Sequence, residues 1–124
     1  MSLKKVILIS SIAALSILGC RRLTSNVPFD KEKWLEQEDW DYPRRDNMID
    51  DLIKNRKLKG LTYKQMVELL GDPQGNAQDS IGVYYQIVED FGSDIDPVYT
   101  KNLSIEFNKD SIINKVKIEE WKKP

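Results

Sequence analysis

A chain of 124 residues has room for one hydrophobic core and not for two. Histidine is absent and cysteine occurs once, which excludes imidazole acid–base chemistry, a Cys–His nucleophile pair and every Cys/His zinc site. With 19 basic against 20 acidic residues there is no polybasic footprint, so nucleic acid is not an expected partner.

Lys4 and Lys5 precede an apolar and serine run from Val6 to Leu18. A membrane-spanning helix needs roughly 18 apolar residues, whereas a charged start followed by about 7 to 15 of them is the pattern of a secretory signal. The run ends at Ile17-Leu18-Gly19-Cys20, which resembles the bacterial lipobox: an aliphatic residue three before the cysteine and a small one directly before it. The resemblance implies that residues 1–19 are removed and that Cys20 becomes an acylated amino terminus. Burial of acyl chains contributes about 0.8 kcal/mol per methylene, so one chain holds weakly and two or three hold durably. The alternative is an ordinary signal, or an uncleaved anchor, with an incidental cysteine. Arg21 stands where enteric bacteria place the Asp that retains lipoproteins at the inner membrane. The expected location is therefore the outer membrane, facing the periplasm, or the cell membrane in an organism without an outer one.

Residues 20–44 read as a lipidated start and a tether, punctuated by Pro28 and Pro43 and rich in acids, Lys and Gln. Phe29, Trp34, Leu35, Trp40 and Tyr42 give it more apolar surface than a solvated linker needs. Trp34 and Trp40 either fold back over an edge of the domain or form a partner-binding strip.

A packed domain is expected over residues 45–124. Met48, Ile49, Leu52 and Ile53 recur at helical spacing between Arg45 and about Asn55, and Lys54, Arg56 and Lys57 suit the carboxyl end of that helix. At Leu61-Thr62-Tyr63-Lys64-Gln65-Met66 the spacing predicts a capping box, Thr62 with Gln65, and a hydrophobic staple, Leu61 with Met66. The second helix then runs over about 63–70, stopped by Gly71 and Pro73.

After Gly75 the period falls to two. Ile81, Val83, Tyr85 and Ile87 share one face of a strand near 80–88, with Tyr84 and Val88 on the other. A loop over 89–97 is followed by a strand in which Leu103, Ile105 and Phe107 alternate with polar residues. The turn Asn108-Lys109-Asp110-Ser111 leads to a third strand with Ile112, Val116 and Ile118 on its inner face. The expected fold class is α+β: two short helices followed by a three-stranded antiparallel sheet (ααβββ) in two layers.

Gly60-Leu61-Thr62, Met66-Val67 and Leu69-Leu70-Gly71-Asp72-Pro73-Gln74 resemble the signature of the SmpA/OmlA family of small bacterial lipoproteins. Members include an accessory subunit of the β-barrel assembly machine, and their fold is similar to that of the β-lactamase inhibitor protein repeats. The resemblance implies a lipid-anchored ααβββ domain. Its residues have structural reasons: Gly60 permits a turn, Thr62 and Gln65 cap, Gly71 takes positive φ and Pro73 blocks extension.

No catalytic, cofactor or metal site is expected. The run Glu89-Asp90-Phe91-Gly92-Ser93-Asp94-Ile95-Asp96 has oxygen ligands without the EF-hand spacing, and Ser and Thr lack an evident base. Lys54, Arg56, Lys57, Lys59 and Lys64 form an acid-free stretch that is either a solvated helix end or an anionic-lipid contact. The functional expectation is a non-enzymatic, lipid-anchored envelope protein that binds a protein partner, as an accessory in outer-membrane protein assembly or envelope maintenance. Trp34, Trp40, Tyr84 and Gln86 are its candidate contact residues. The alternative is an inhibitor-like or ligand-binding module of the same fold, which calls for an aromatic concavity on the sheet.

Overall fold

A computed structural model describes residues 26–77 and 81–124. The signal segment, Cys20 and Ser80 lie outside the described residues. Among the described residues three helices, α1 (Lys31–Leu35), α2 (Arg45–Asn55) and α3 (Tyr63–Leu70), precede four strands, β1 (Gly75–Asn76), β2 (Gly82–Asp90), β3 (Tyr99–Phe107) and β4 (Ile113–Lys122). The strands form one antiparallel sheet in chain order, β1-β2-β3-β4. The architecture is thus α+β, with one helix and one short strand beyond the sequence-based expectation.

Both expected helices form where their apolar spacing places them. Met48, Ile49 and Leu52 of α2 and Met66 and Leu70 of α3 are buried. The capping box is present in full: Thr62 Oγ1 accepts from the Gln65 amide at 3.2 Å, and Gln65 Oε1 accepts from the Thr62 amide at 3.0 Å. Gly71 ends α3 at φ +78°, its amide donating to the Val67 carbonyl. Gly60 takes φ +93°, and the turn it opens reaches the sheet. Its amide donates to Ile113 O, and Leu61 O accepts from the Ile113 amide, both at 2.9 Å. These residues stitch the start of α3 to the start of β4.

The residues expected as tether are part of the packed unit from Val27 onward, earlier than a boundary at residue 45. Asp30 caps α1 by accepting from the amides of Glu32 and Lys33, and the helix buries one residue, Trp34, completely, while Leu35 beside it stays partly exposed. The Trp34 ring meets Phe29 at 5.8 Å and Tyr85 at 6.1 Å, and its Nε1 donates to Leu70 O at 3.0 Å. Burying such a side chain contributes on the order of 3 kcal/mol, enough to fix a five-residue helix with no stripe of its own. Trp34 is therefore a core residue, not part of a contact strip.

Two bulges change the sheet from simple alternation. Gln86 pairs with Asn102 and Val88 with Lys101, so Ile87 is an extra residue. Val88 thereby moves to the face carrying Lys101 and Leu103 and packs against the core, contrary to its expected outward position. A second irregularity, between Glu106 and Phe107, pairs Phe107 with Ile113. Ile113, buried, takes the inner place expected for Ile112, while Val116 and Ile118 stay inward as half-buried residues. Because side chains alternate with period two, one inserted residue moves everything beyond it to the opposite face.

Candidate interaction surface around Trp40

The site grows from an edge that the sheet leaves open. β1 is two residues long, pairing Gly75 with Tyr84 and Asn76 with Val83, and the Gln74 amide donates to Tyr84 O at 2.9 Å. β2 runs on beyond this point. At Gln86 the two backbone groups are met by side chains: its amide donates to Gln74 Oε1 at 2.8 Å, and its carbonyl accepts from Arg45 Nη1 at 2.8 Å. Gln74 and Arg45 thus prolong the ladder after the main chain has turned away, which closes an edge otherwise available to another strand.

Arg45 is the centre of this plug. It is 1% exposed and has no carboxylate partner among the described residues. Its Nε donates to Trp34 O at 2.9 Å and its Nη1 also donates to Gln74 Oε1 at 2.7 Å. The guanidinium lies over Tyr42 at 3.6 Å, over Trp34 at 4.6 Å and 5.9 Å from Tyr85. Ring faces and carbonyl oxygens replace the hydration shell of the cation. Loss of solvent lowers its pKa to about 10, opposed in part by Tyr42 and Tyr85, so it stays charged at neutral pH. Tyr85, whose hydroxyl donates to Gly71 O at 2.6 Å, has its pKa pushed up, chiefly by burial.

On the solvent side, the segment between α1 and α2 folds into a tight turn. Glu38 and Asp41 exchange backbone hydrogen bonds at 2.8 Å, and Asp39 takes φ +54°, a conformation that Asp tolerates better than most residues. Trp40 is thereby held out, 57% exposed. Its carbonyl accepts from Gln86 Nε2 at 2.9 Å, and its ring meets Phe91 edge-on at 5.6 Å and 83°. Acids flank both rings in the sequence: Glu38, Asp39 and Asp41 beside Trp40, Asp90 and Asp94 beside Phe91. Ile95, in the same loop, is 94% exposed. The result is a rigid aromatic pair in an acidic frame, suited to a partner that offers apolar and cationic groups.

Of the four expected contact residues, the structure brings Trp40 and Gln86 together and removes Trp34 to the core. Tyr84 is half-buried and props the edge, its ring lying so close to Gly75 that a Cβ there would come within 2.6 Å of it. Arg45, Gln74, Tyr42 and Phe91 were not legible as site residues. The aromatic density around Trp34 and Tyr42 is the one sequence signal for the cage, and Gln74 reads only as turn chemistry. Gly60, Thr62, Gln65, Gly71 and Pro73 all sit at helix ends or turns away from Trp40 in the sequence.

Among the described residues, no three His, Cys, Asp or Glu side chains converge as a metal site, and no helix is long and apolar enough to cross a membrane. No family model matches the chain, and neither a curated protein nor a solved structure matches it significantly.

Proposed function

We propose that this chain is a lipid-anchored, non-enzymatic protein of the cell envelope, of the SmpA/OmlA type, acylated at Cys20 and binding a protein partner through the Trp40–Phe91 end. It faces the periplasm from the outer membrane, and its role is that of an accessory in outer-membrane protein assembly or envelope maintenance. The lipobox ending at Cys20 and the Gly60–Gln74 signature support the class, as does a domain in which two helices lead into an antiparallel sheet.

One observation carries the binding surface. Trp40 is more than half exposed while its carbonyl, its ring and its turn are all held. An aromatic side chain fixed in place before binding loses little conformational entropy on contact, the usual condition for a hot spot. The outward sheet face offers less. Its cross-strand rows read Gly82-Glu106-Lys115, Tyr84-Ser104-Lys117, Gln86-Asn102-Glu119 and Glu89-Thr100-Trp121, so its two aromatic rings, Tyr84 and Trp121, lie on different strands and in different rows among charges and amides. That composition speaks against the aromatic concavity an inhibitor-like module calls for.

A photocrosslinking residue placed at Trp40 in intact cells is expected to capture one envelope protein, and one placed at Lys109, in the turn between β3 and β4, to capture none. Equal capture at both positions, or none at Trp40, sinks the assignment of the surface. Palmitate labelling tests the anchor separately: the Cys20→Ala chain is expected to lose the label, and equal labelling overturns acylation.

A further inference from the structure

The two edges of the sheet differ. Beside β1 the backbone of β2 is met by Gln74 and Arg45. At β4 only the first residue is covered: the Ile113 amide donates to Leu61 O, and its carbonyl accepts from the Gly60 amide. Beyond it, nothing among the described residues pairs with the outer side of the strand. The Lys123 amide donates to Val98 O, toward the β3 side, and backbone groups alternate in direction along an antiparallel strand. The amides and carbonyls of Val116, Ile118, Glu120 and Lys122 therefore point away from β3. The side chains of Val116 and Ile118 are only half-buried, since no further strand covers them.

Lysines on an open edge deter pairing with other chains, but the charges of β4 also have a pattern. Lys115, Lys117, Glu119 and Trp121 share the outer face, and Lys117 Nζ lies 3.8 Å from Glu119 Oε2 of its own strand. Laid antiparallel against a second β4, the strand can bond only in registers that set outward-pointing residues opposite each other. Placing Ile118 opposite Ile118 of the second copy sets Lys117 against Glu119 and Val116 against Glu120. It also sets Lys115 against the Trp121 ring, a cation over an aromatic face. Each of these pairings occurs twice about the twofold axis. One step to either side puts Lys117 opposite Lys117 or Glu119 opposite Glu119, and the next puts Lys115 opposite Lys117 or Glu120 opposite Glu120. The strand is self-complementary in one register, and like charges disfavour the registers around it.

We infer that β4 pairs antiparallel with β4 of a second copy of this chain, centred on Ile118, and so joins the two four-stranded sheets into one. The pairing needs neither acylation of Cys20 nor the Trp40 surface. Trp40 is held by Gln86 of β2, with β3 between β2 and β4, so the pair leaves it free for another partner. Two strand edges make a contact at the low end of interface size, below about 1,200 Å² in total. The pair is accordingly weak, with a dissociation constant between about 1 µM and 1 mM.

Analytical centrifugation of the full chain in detergent, across that range of concentration, is expected to show reversible dimers. Lys117→Glu brings like charges opposite each other at two places, and so does Glu119→Lys. Each alone should weaken self-association at least about tenfold. Both side chains are about half exposed, so the fold tolerates either change, and circular dichroism checks that it does. An equimolar mixture of the two variants restores opposite charges at both places and should dimerise about as well as the parent. A parent that stays monomeric throughout overturns the inference, the charges then serving only to guard the edge. Undiminished association of the single variants overturns it too, as when two copies exchange a helix or meet at Trp40. So does a mixture of the folded variants that associates no better than its components.

Discussion

The guanidinium carbon of Arg45 rests 3.6 Å from the centroid of the Tyr42 ring, close enough that no water separates cation from ring face. The same group satisfies the carbonyls of Trp34 and Gln86, so one side chain joins α1, α2 and the edge of β2. Arg45→Ala is expected to cost about 3–5 kcal/mol, since it strips the donors from buried acceptors and leaves a void among three rings. Arg45→Met, which fills the space without donating, should cost about 1–3 kcal/mol. Urea unfolding followed by tryptophan fluorescence ranks the two; an Arg45→Met chain as stable as the parent shows that the donated hydrogen bonds contribute nothing net.

Gln74 supplies one oxygen to two donors, the Gln86 amide at 2.8 Å and Arg45 Nη1 at 2.7 Å. Gln74→Ala leaves the Gln86 amide without its partner and is expected to cost about 1–3 kcal/mol. Gln74→Glu keeps an acceptor and adds a carboxylate beside the cation, but loses the donors to Asp72 O and Tyr42 Oη at 3.2 Å and 3.4 Å. It should therefore be the milder change. Amide exchange at Gln86 reads the effect locally: acceleration in the Ala variant with protection kept in the Glu variant is the expected pair of results, and equal acceleration in both contradicts the account.

What the sequence made legible follows the range of the interactions. The capping box between Thr62 and Gln65 spans three residues, and the stripe of α2 repeats every three or four, so both could be read from neighbours along the chain. The alternation of Val83, Tyr85 and Ile87 against Leu103 and Ile105 was legible for the same reason. The bulges were not, because whether Ile87 is an extra residue depends on which β3 residue faces it. The Arg45 cage was least visible. Its hydrogen bond to Gln86 joins residues 41 apart, and the bond from Trp34 to Leu70 spans 36. The second of two adjacent arginines at a helix start, followed by an acid, carries no local mark that it will be buried.

Alkaline pH gives a test with a definite sign. Tyr85 in the unfolded chain ionises near pH 10, whereas in the fold burial holds its hydroxyl neutral well above that value. Its contribution is therefore fully present below about pH 10. As pH rises further, only the unfolded state loses the proton, so stability falls by at most about 1.4 kcal/mol per pH unit. Arg45 acts in the opposite sense above about pH 10, its folded pKa being the lower one. Comparing the parent with Tyr85→Phe separates the two. The variant should lose about 1 kcal/mol at neutral pH with the bond to Gly71 O and show a shallower alkaline decline. An unchanged slope removes Tyr85 as its source.

Gly71 couples α1 to the end of α3, and a pair of substitutions can resolve the coupling. At φ +78° a side chain is strained whatever the space around it, and a Cβ at this position would also come within 2.6 Å of Leu35 Cδ2. Gly71→Ala should cost about 1–3 kcal/mol from the backbone alone, plus the displacement of Leu35. Leu35 is 42% exposed, so its side chain can swing aside and that second part is the smaller. In a chain that also carries Leu35→Ala the clash is gone and the strain stays. The double variant is thus expected to be more stable than the two single effects added together, by about 0.5–1 kcal/mol. Strict additivity places the whole cost of Gly71→Ala in the backbone. A double variant worse than the sum shows instead that Leu35 supports the left-handed turn, and that the close approach is a contact worth keeping.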